Sequence, residues 1–364
     1  FFLASQDKTV GALTDESVVG RIMPAVGIDY RFPILATFDG GNQVFEPVAQ
    51  LIVRPNVSEL FETVVSQFDE PFGDSSAIPT YLVSELARQH VTIALSGTGA
   101  DELFAGYERY WSIPLSAPFQ ALPHGIVRGL SKGLQRLPSG HGKRSVINRA
   151  QRFLQSQGAD LVERHTALIS LFDGAIRKEG YTADFAEAVA SHSAIDTLRL
   201  SLDDRTGLHD LDRMLGLDTQ TVLPDDYLTK DDRMSMATSL EVRVPFLDHT
   251  LVEFAAACPP RLKQKHLQTK VLLRQLAQDQ IPRSILDRPK HGFEVPVAEW
   301  IGNELAGTVT DLLLSDSTQL GAYLRPEFVS NLVELHTSEA RNLSREIWSL
   351  MSLEMWLRSG KAGV

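Results

Sequence analysis

The run Ser96-Gly97-Thr98-Gly99-Ala100-Asp101-Glu102 concentrates residue types that handle anions. Gly97 and Gly99 leave the backbone open to close approach by a charged group. If a helix starts just beyond, its first N–H groups favour an anion, and Asp101 and Glu102 suit its dipole. A carboxylate such as Asp101 could also hold Mg²⁺ bridging to a phosphate. A second reading is a strand–helix turn with capping side chains and no ligand, and spacing this short is compatible with both.

Other clusters also have two readings. Asp225, Asp226, Asp231 and Asp232 stand with Lys230 and Arg233 before an apolar stretch. They are either a carboxylate-and-cation patch near a substrate or a solvated helix start with favourable dipole charges. Arg288-Pro289-Lys290-His291-Gly292-Phe293 places cations at a proline and a glycine. Lys290 can meet a phosphate as a point charge and stabilise developing negative charge; the alternative is an exposed basic turn. Ser75 and Ser76 have no histidine nearby and no G-x-S-x-G elbow, so they read as loop and cap residues. His90, His249 and His291 lack metal-ligand spacing. Cys258 sits in an apolar helix end and reads as core, as does the stripe Met234, Met236 and Leu240.

The elements that must position these residues have a recognisable grammar. Val91 to Leu95 is a β-branched run that reads as a buried parallel strand. The glycine turn follows, then a helix from Ala100 toward Tyr110. Upstream, residues 57–68 carry Leu60, Val64, Val65 and Phe68 at helical spacing. A polar loop, 69–76, leads to a helix with the stripe Ile78, Tyr81, Leu82, Leu86 and Ala87, and Ser76 is its expected cap. Helix, strand, glycine turn, helix indicates an α/β open sheet, whose ligands bind at the carboxyl ends of the strands. Leu51 to Val53 reads as a short strand, and Ile34 to Phe38 as another ending at Asp39-Gly40-Gly41; residues 1–50 otherwise lack clean periodicity. Residues 343–358 form an apolar helix that should be buried. The expected organisation is an α/β core over 1–112, with 1–50 atypical, a helical insertion over 113–220, and a mainly helical remainder over 221–364.

Composition bounds the function. The chain has 364 residues, enough for two or three packed subdomains. Hydrophobic residues are 43% and charged residues 22%, ordinary values for a globular protein that exclude disorder. The longest apolar runs are too short for a membrane span. Lys plus Arg is 35 against 46 Asp plus Glu, a net charge of −11 that disfavours nucleic acid as a partner. One cysteine cannot build a disulfide framework, and a reducing cytoplasm is the expected location. Phe1 opens the chain without a signal peptide, so it reads as a fragment of something longer.

Several segments occur together and in order: Asp69-Glu70-Pro71-Phe72, Ser75 to Tyr81, Leu95 to Tyr107, Asp231 to Asp248, Lys270 with Leu272, Leu273 and Arg274, Arg288 to Phe293, and Trp348 to Arg358. From about residue 46 to 364 this pattern closely resembles the synthetase domain of glutamine-dependent asparagine synthetases. The resemblance implies an adenine nucleotide α-hydrolase-like (PP-loop) fold. It also implies that Mg-ATP activates the side-chain carboxylate of aspartate as β-aspartyl-AMP, which ammonia then attacks to give asparagine. By position, Ser96, Gly97 and Gly99 would line the nucleotide site, and Asp101 would hold Mg–pyrophosphate. Lys290 would stabilise the phosphoryl transition state. Lys230, Asp232, Glu241 and Arg243 match the family segment near the substrate. A glutaminase domain or subunit is the implied ammonia source, and a homodimer is an expected assembly.

The sequence departs from that family in two places. Between the glycines the family carries an acidic residue thought to act as base; here it is Thr98, which cannot accept a proton at neutral pH. The phosphate loop S-G-G-x-D-S is also missing. Its counterpart reads Phe2-Leu3-Ala4-Ser5-Gln6-Asp7, where Ser5 and Asp7 stand as the remaining nucleotide and Mg²⁺ candidates. A frame or assembly error, a degraded gene and a specialised paralogue all fit that pattern. The leading expectation is an ATP-dependent amide-forming ligase. The alternatives are a sibling amide or lactam synthetase and a protein that keeps the fold without the chemistry.

Overall fold

A computed structural model describes residues 56–120, 160–172, 174–202, 207–279, 283–286 and 295–360, together with Phe153 and the short segments 2–3, 34–35, 38–39, 42–43 and 47–49. The described part is α/β and mostly helical. The elements that bear on the site are strands β1 (Phe2–Leu3), β2 (Ile93–Leu95) and β3 (Glu241–Arg243), and helices α1 (Val57–Ser66), α2 (Ala77–Arg88), α3 (Ala100–Leu103), α4 (Leu161–Ile169), α5 (Asp210–Gln220), α6 (Thr229–Ala237) and α7 (Ser344–Arg358).

β2 is the middle strand of a three-stranded sheet. It pairs parallel to β3, with Ile93 opposite Glu241 and Leu95 opposite Arg243. The parallel pairing expected of Val91–Leu95 is therefore present. The sheet as a whole is mixed, because β1 pairs with β2 antiparallel, with Phe2 opposite Leu95. Ala94 is fully buried between Ala87 of α2 and Leu240, while Ile93 and Leu95 on either side of it are half-buried. Of the early strand expectations, Ile34–Leu35 pairs with Pro47–Ala49, and Phe38–Asp39 turns back onto Asn42–Gln43. Leu51 to Val53 lies outside the described residues.

The largest core gathers α1, α2 and α7 with the segment 295–333. Phe61 meets Trp348 edge to face at 4.8 Å between ring centres. Ile347, Trp348, Leu350, Met351 and Leu357 are buried, as the apolar pattern of α7 requires. Glu354 is buried among them. Its carboxylate accepts the backbone N–H groups of Gln319 and Leu320, at 3.0 Å each, and the Arg358 guanidinium at 2.7 Å. A second core packs Tyr110 against α4 and α5 through Leu161, Leu211, Met214 and Leu217. The elements described between 113 and 220 are helices, apart from a bridge from Tyr181 to Leu324.

Three local expectations are corrected. The helix from Ala100 stops at Leu103, and a 3₁₀ turn follows at Glu108–Trp111. Ala105 adopts φ +57° and Gly106 follows, which turns the chain before a second helical turn can form. Ser76 occupies the N-cap position of α2, yet its hydroxyl does not cap the helix; it donates to the Asp74 carboxylate at 2.6 Å. Met236 is 55% exposed, whereas Met234 and Leu240 are buried, so the stripe is core at two of its three positions. Cys258 is buried as expected.

Candidate functional site

α6 runs into β3 through Ser239, which takes the left-handed φ of +60°. A helix that folds back on the strand it feeds starts beside that strand's carboxyl end. β2 is parallel to β3, so the turn after β2 opens at the same end. The start of α6 and the Ser96–Gly99 turn therefore meet. This is the end of an open sheet where ligands are bound.

The turn is fixed by its own groups. Ser96 N–H donates to Arg243 O at 2.8 Å, continuing the β2–β3 ladder by one residue. Gly99 has φ +94°, and a Cβ there would lie 2.4 Å from Leu247 Cδ2. Both observations require glycine. A Cβ on Gly97 would meet nothing within 4 Å. Thr98 donates its hydroxyl proton to Asp231 Oδ2 at 2.5 Å. Ser96 Oγ lies 2.8 Å from Thr98 Oγ1 and 3.5 Å from Asp231 Oδ2. Burial raises the Asp231 carboxyl above its usual range, and the Thr98 hydrogen bond and Lys230 oppose this only in part.

Asp101 points away from that carboxylate, into an ion pair with Lys270 at 3.1 Å. Lys270 sits in the left-handed region at φ +53°, and its N–H donates to Phe104 O at 3.1 Å. Gly106 closes over the pair: a Cβ there would fall 1.8 Å from Asp101 Oδ1 and 2.3 Å from Lys270 Cε. Glycine is required here for space.

Lys230, on the first turn of α6, is buried and clamps the preceding loop. Its ammonium donates to Asp74 Oδ2 at 2.6 Å and Ser76 Oγ at 2.8 Å, and lies 4.9 Å from the Tyr227 ring centre. Burial works against both charges. The pair nevertheless holds Asp74 below the usual carboxylate range and Lys230 above the usual ammonium range. Asp226 goes the other way: burial and the Asp74 charge push it up to about 7. Asp226 lies in a π-helical turn, Leu223–Leu228, where the Thr229 hydroxyl bonds back to Pro224 O at 2.8 Å. Such wide turns often mark functional segments.

Behind the turn lies a second buried network. Tyr107 donates to Glu102 Oε1 at 2.6 Å, and burial raises both groups. Arg109 lies 4.1 Å over the Tyr107 ring and meets Asp218 at 2.9 Å. Asp218 is fully buried; it also accepts the Tyr110 hydroxyl at 2.5 Å and faces His165 Nε2 at 3.0 Å. Burial pushes the Asp218 carboxyl up, but His165, Arg109 and Tyr110 outweigh it and hold it low.

Ser96, Gly97, Thr98, Gly99 and Asp101 thus lie on one turn, as their spacing requires, and Lys230 lies on the helix that faces it. Asp232 is exposed on the outer side of α6. Glu241 and Arg243 are exposed on β3 and ion-pair with each other. Ser5, Asp7 and Lys290 lie outside the described residues. Sequence reasoning grouped Asp231 with Asp232 in one cluster and carried only Asp232 forward as a substrate-site residue. Helical spacing left the choice open: Asp231 stands three and four residues before Met234 and Ser235, and Asp232 stands three before that same Ser235. Asp74, Lys270 and Asp218 were also missed as partners, and their sequence separations of 109 to 169 positions leave no local signal.

The sequence matches the asparagine synthase family over residues 49–358. The chain belongs to that family. It is similar to the glutamine-hydrolysing asparagine synthetase 1 of Bacillus subtilis, with 33% identity over 96% of this chain and 56% of that protein. The glutamine-hydrolysing asparagine synthetase 3 of Bacillus subtilis is 26% identical over 65% of this chain and 32% of its own length. The amidase chyE of Penicillium rubens is 23% identical over 71% of this chain and 40% of its own length. The chain spans about half the length of the curated relatives that it matches along nearly all of its own length. Among the described residues no helix is long and apolar enough to cross a membrane, and no three His, Cys, Asp or Glu side chains group as a metal site.

Proposed function

We propose that this chain is an ATP-dependent amide-forming ligase that converts aspartate to asparagine through β-aspartyl-AMP, with ammonia as the nitrogen donor. The observation that carries this reading is the turn Ser96–Asp101 at the carboxyl end of β2, facing the acidic and basic side chains of α6, in a chain of the asparagine synthase family. The turn offers open backbone at Gly97 for a phosphate. Asp101 and Lys270 form a paired anion and cation beside it, able to separate toward a polyphosphate and its counter-ion. Magnesium, when bound, would neutralise charge on the phosphates. A single described carboxylate, Asp101, fits an ion that enters with the nucleotide, because magnesium is commonly held by one or two carboxylates together with substrate phosphates. Asp7 is the second candidate for that role and Lys290 the cation for the departing pyrophosphate. The α/β core, the helical insertion and the remainder would follow the PP-loop plan. Ammonia would come from a glutaminase domain or subunit, and the working protein would be cytoplasmic and dimeric.

The amidase among the relatives favours one second reading, a sibling synthetase that amidates a different carboxylate. A single assay separates the readings. Purified protein is given Mg-ATP and ammonium, with aspartate or with a panel of other carboxylic acids. Aspartate-dependent release of pyrophosphate in step with asparagine supports the first reading. Turnover of another acid alone supports the second. Absence of pyrophosphate with every acid defeats both.

A further inference from the structure

We propose that Asp231 is the proton acceptor for the incoming nitrogen in the amide-forming step, with the Thr98 and Ser96 hydroxyls holding its carboxylate at the mouth of the turn. This deepens the amide-ligase reading and rests on it.

The chemistry demands such a group. The nitrogen lone pair attacks the activated carbonyl carbon, the bond from that carbon to the adenylate oxygen breaks, and AMP leaves with the electron pair. The nitrogen arrives with three hydrogens and remains with two, so one proton must be taken up. Around the turn the other candidates are committed. Ser96 and Thr98 are hydroxyls and cannot hold that proton at neutral pH. Asp101 is paired with Lys270, Asp74 with Lys230, and Glu241 with Arg243. Glu102 is buried and bound by the Tyr107 hydroxyl, Asp226 is half-buried and hydrogen-bonded to Asp74, and Asp232 faces outward.

Asp231 has the geometry the others lack. Thr98 spends its only proton on Oδ2 at 2.5 Å, and Ser96 approaches the same oxygen at 3.5 Å. Oδ1 has no hydrogen-bond partner among the described residues, so one oxygen is anchored and the other is available to accept. Partial burial makes the carboxylate a stronger base than an exposed aspartate, which suits proton transfer near neutral pH. The accepted proton then passes to water and resets the site. Thr98 acts as a positioning residue, since its contact is with Asp231 and not with the reacting atoms.

The test divides the reaction into halves on the full chain. Carboxylate activation is read by aspartate-dependent exchange of labelled pyrophosphate into ATP, and amide formation by asparagine made from ammonium in a single turnover. Asp231→Asn is expected to lower amide formation about 10²- to 10⁴-fold relative to exchange, the usual range for a general base. Thr98→Val leaves the carboxylate but frees it, and should bias the two halves in the same direction by a smaller factor. The double change Thr98→Glu with Asp231→Asn returns a carboxylate to the mouth of the turn and should recover part of the lost rate. Equal loss of both halves in a folded Asp231→Asn protein makes the residue structural and overturns the proposal, as does full amide formation in that variant. If Asp231→Asn does not fold, an unbiased Thr98→Val overturns it instead. If the unaltered chain shows no exchange with any carboxylic acid, the ligase reading has failed and the base assignment falls with it.

Discussion

Asp226 carries an electrostatic cost that a neutral isostere should remove. Burial and the neighbouring Asp74 push its carboxyl up to about 7, against 3.8 for a free aspartate. The sign follows from proton binding. The folded state holds this proton more tightly than the unfolded state, so stability is unaffected below about pH 4. As pH rises from about 4 to 7, the unfolded chain loses the proton first and stability falls. Each unit of difference is worth about 1.4 kcal/mol, so the whole interval is worth about 4 kcal/mol. Water penetration and relaxation around a part-exposed group reduce this to about 2 kcal/mol. Asp226→Asn is neutral at every pH, and its amide can donate to Asp74 as the protonated acid does. The variant should therefore gain about 2 to 4 kcal/mol on the unaltered chain between pH 4 and pH 8. Urea midpoints of both proteins at pH 4.5, 6 and 8 measure that gap, and taking their difference removes the titration of every other group. A gap that stays constant, or that widens toward acid, would refute the reasoning. Asp74→Asn supplies a control of opposite sign. Asp74 is held low by Lys230, so its loss should destabilise the protein at pH 8, and the deficit should fade as the pH is lowered.

Two further outcomes follow from packing and charge. Gly106→Ala places a Cβ 1.8 Å from Asp101 Oδ1 and must drive the Asp101–Lys270 pair apart; pyrophosphate exchange should fall at least about tenfold while the melting temperature drops by a few degrees, and an unaltered exchange rate would show that the pair is not part of the nucleotide site. Asp218→Asn leaves Arg109 without its buried counter-charge and should cost about 3 to 5 kcal/mol in urea unfolding; a loss below about 1 kcal/mol would mean that solvent already screens this network.

Local pattern went far where the physics is local. The run from Val91 to Leu95 read as a buried parallel strand, and β2 is a parallel strand buried at Ala94, with Ile93 and Leu95 half-buried. The spacing of Ile347, Trp348, Leu350 and Met351 demanded a buried helix, and α7 lies in the largest core. The glycine turn was legible because Gly99 needs a backbone conformation that side chains resist. Local pattern failed where a distant segment competed for the same group. Ser76 has the residue type and position of a cap, but Asp74 and Lys230 offer its hydroxyl stronger, charge-assisted bonds. The helix from Ala100 has adequate propensity, yet the chain turns at Ala105 and Gly106 so that Asp101 and Lys270 can meet beneath a residue without a Cβ.

By itself the sequence determined the α/β class, the turn between Ser96 and Gly99, and the family to which the chain belongs, because periodicity, glycine placement and motif order are properties of neighbouring residues. Only the tertiary structure decided which of two adjacent aspartates faces that turn. Asp231 and Asp232 are chemically identical and one position apart. The 100° step of a helix sends one to the Thr98 hydroxyl and the other to solvent, and which is which depends on how α6 packs before it enters β3.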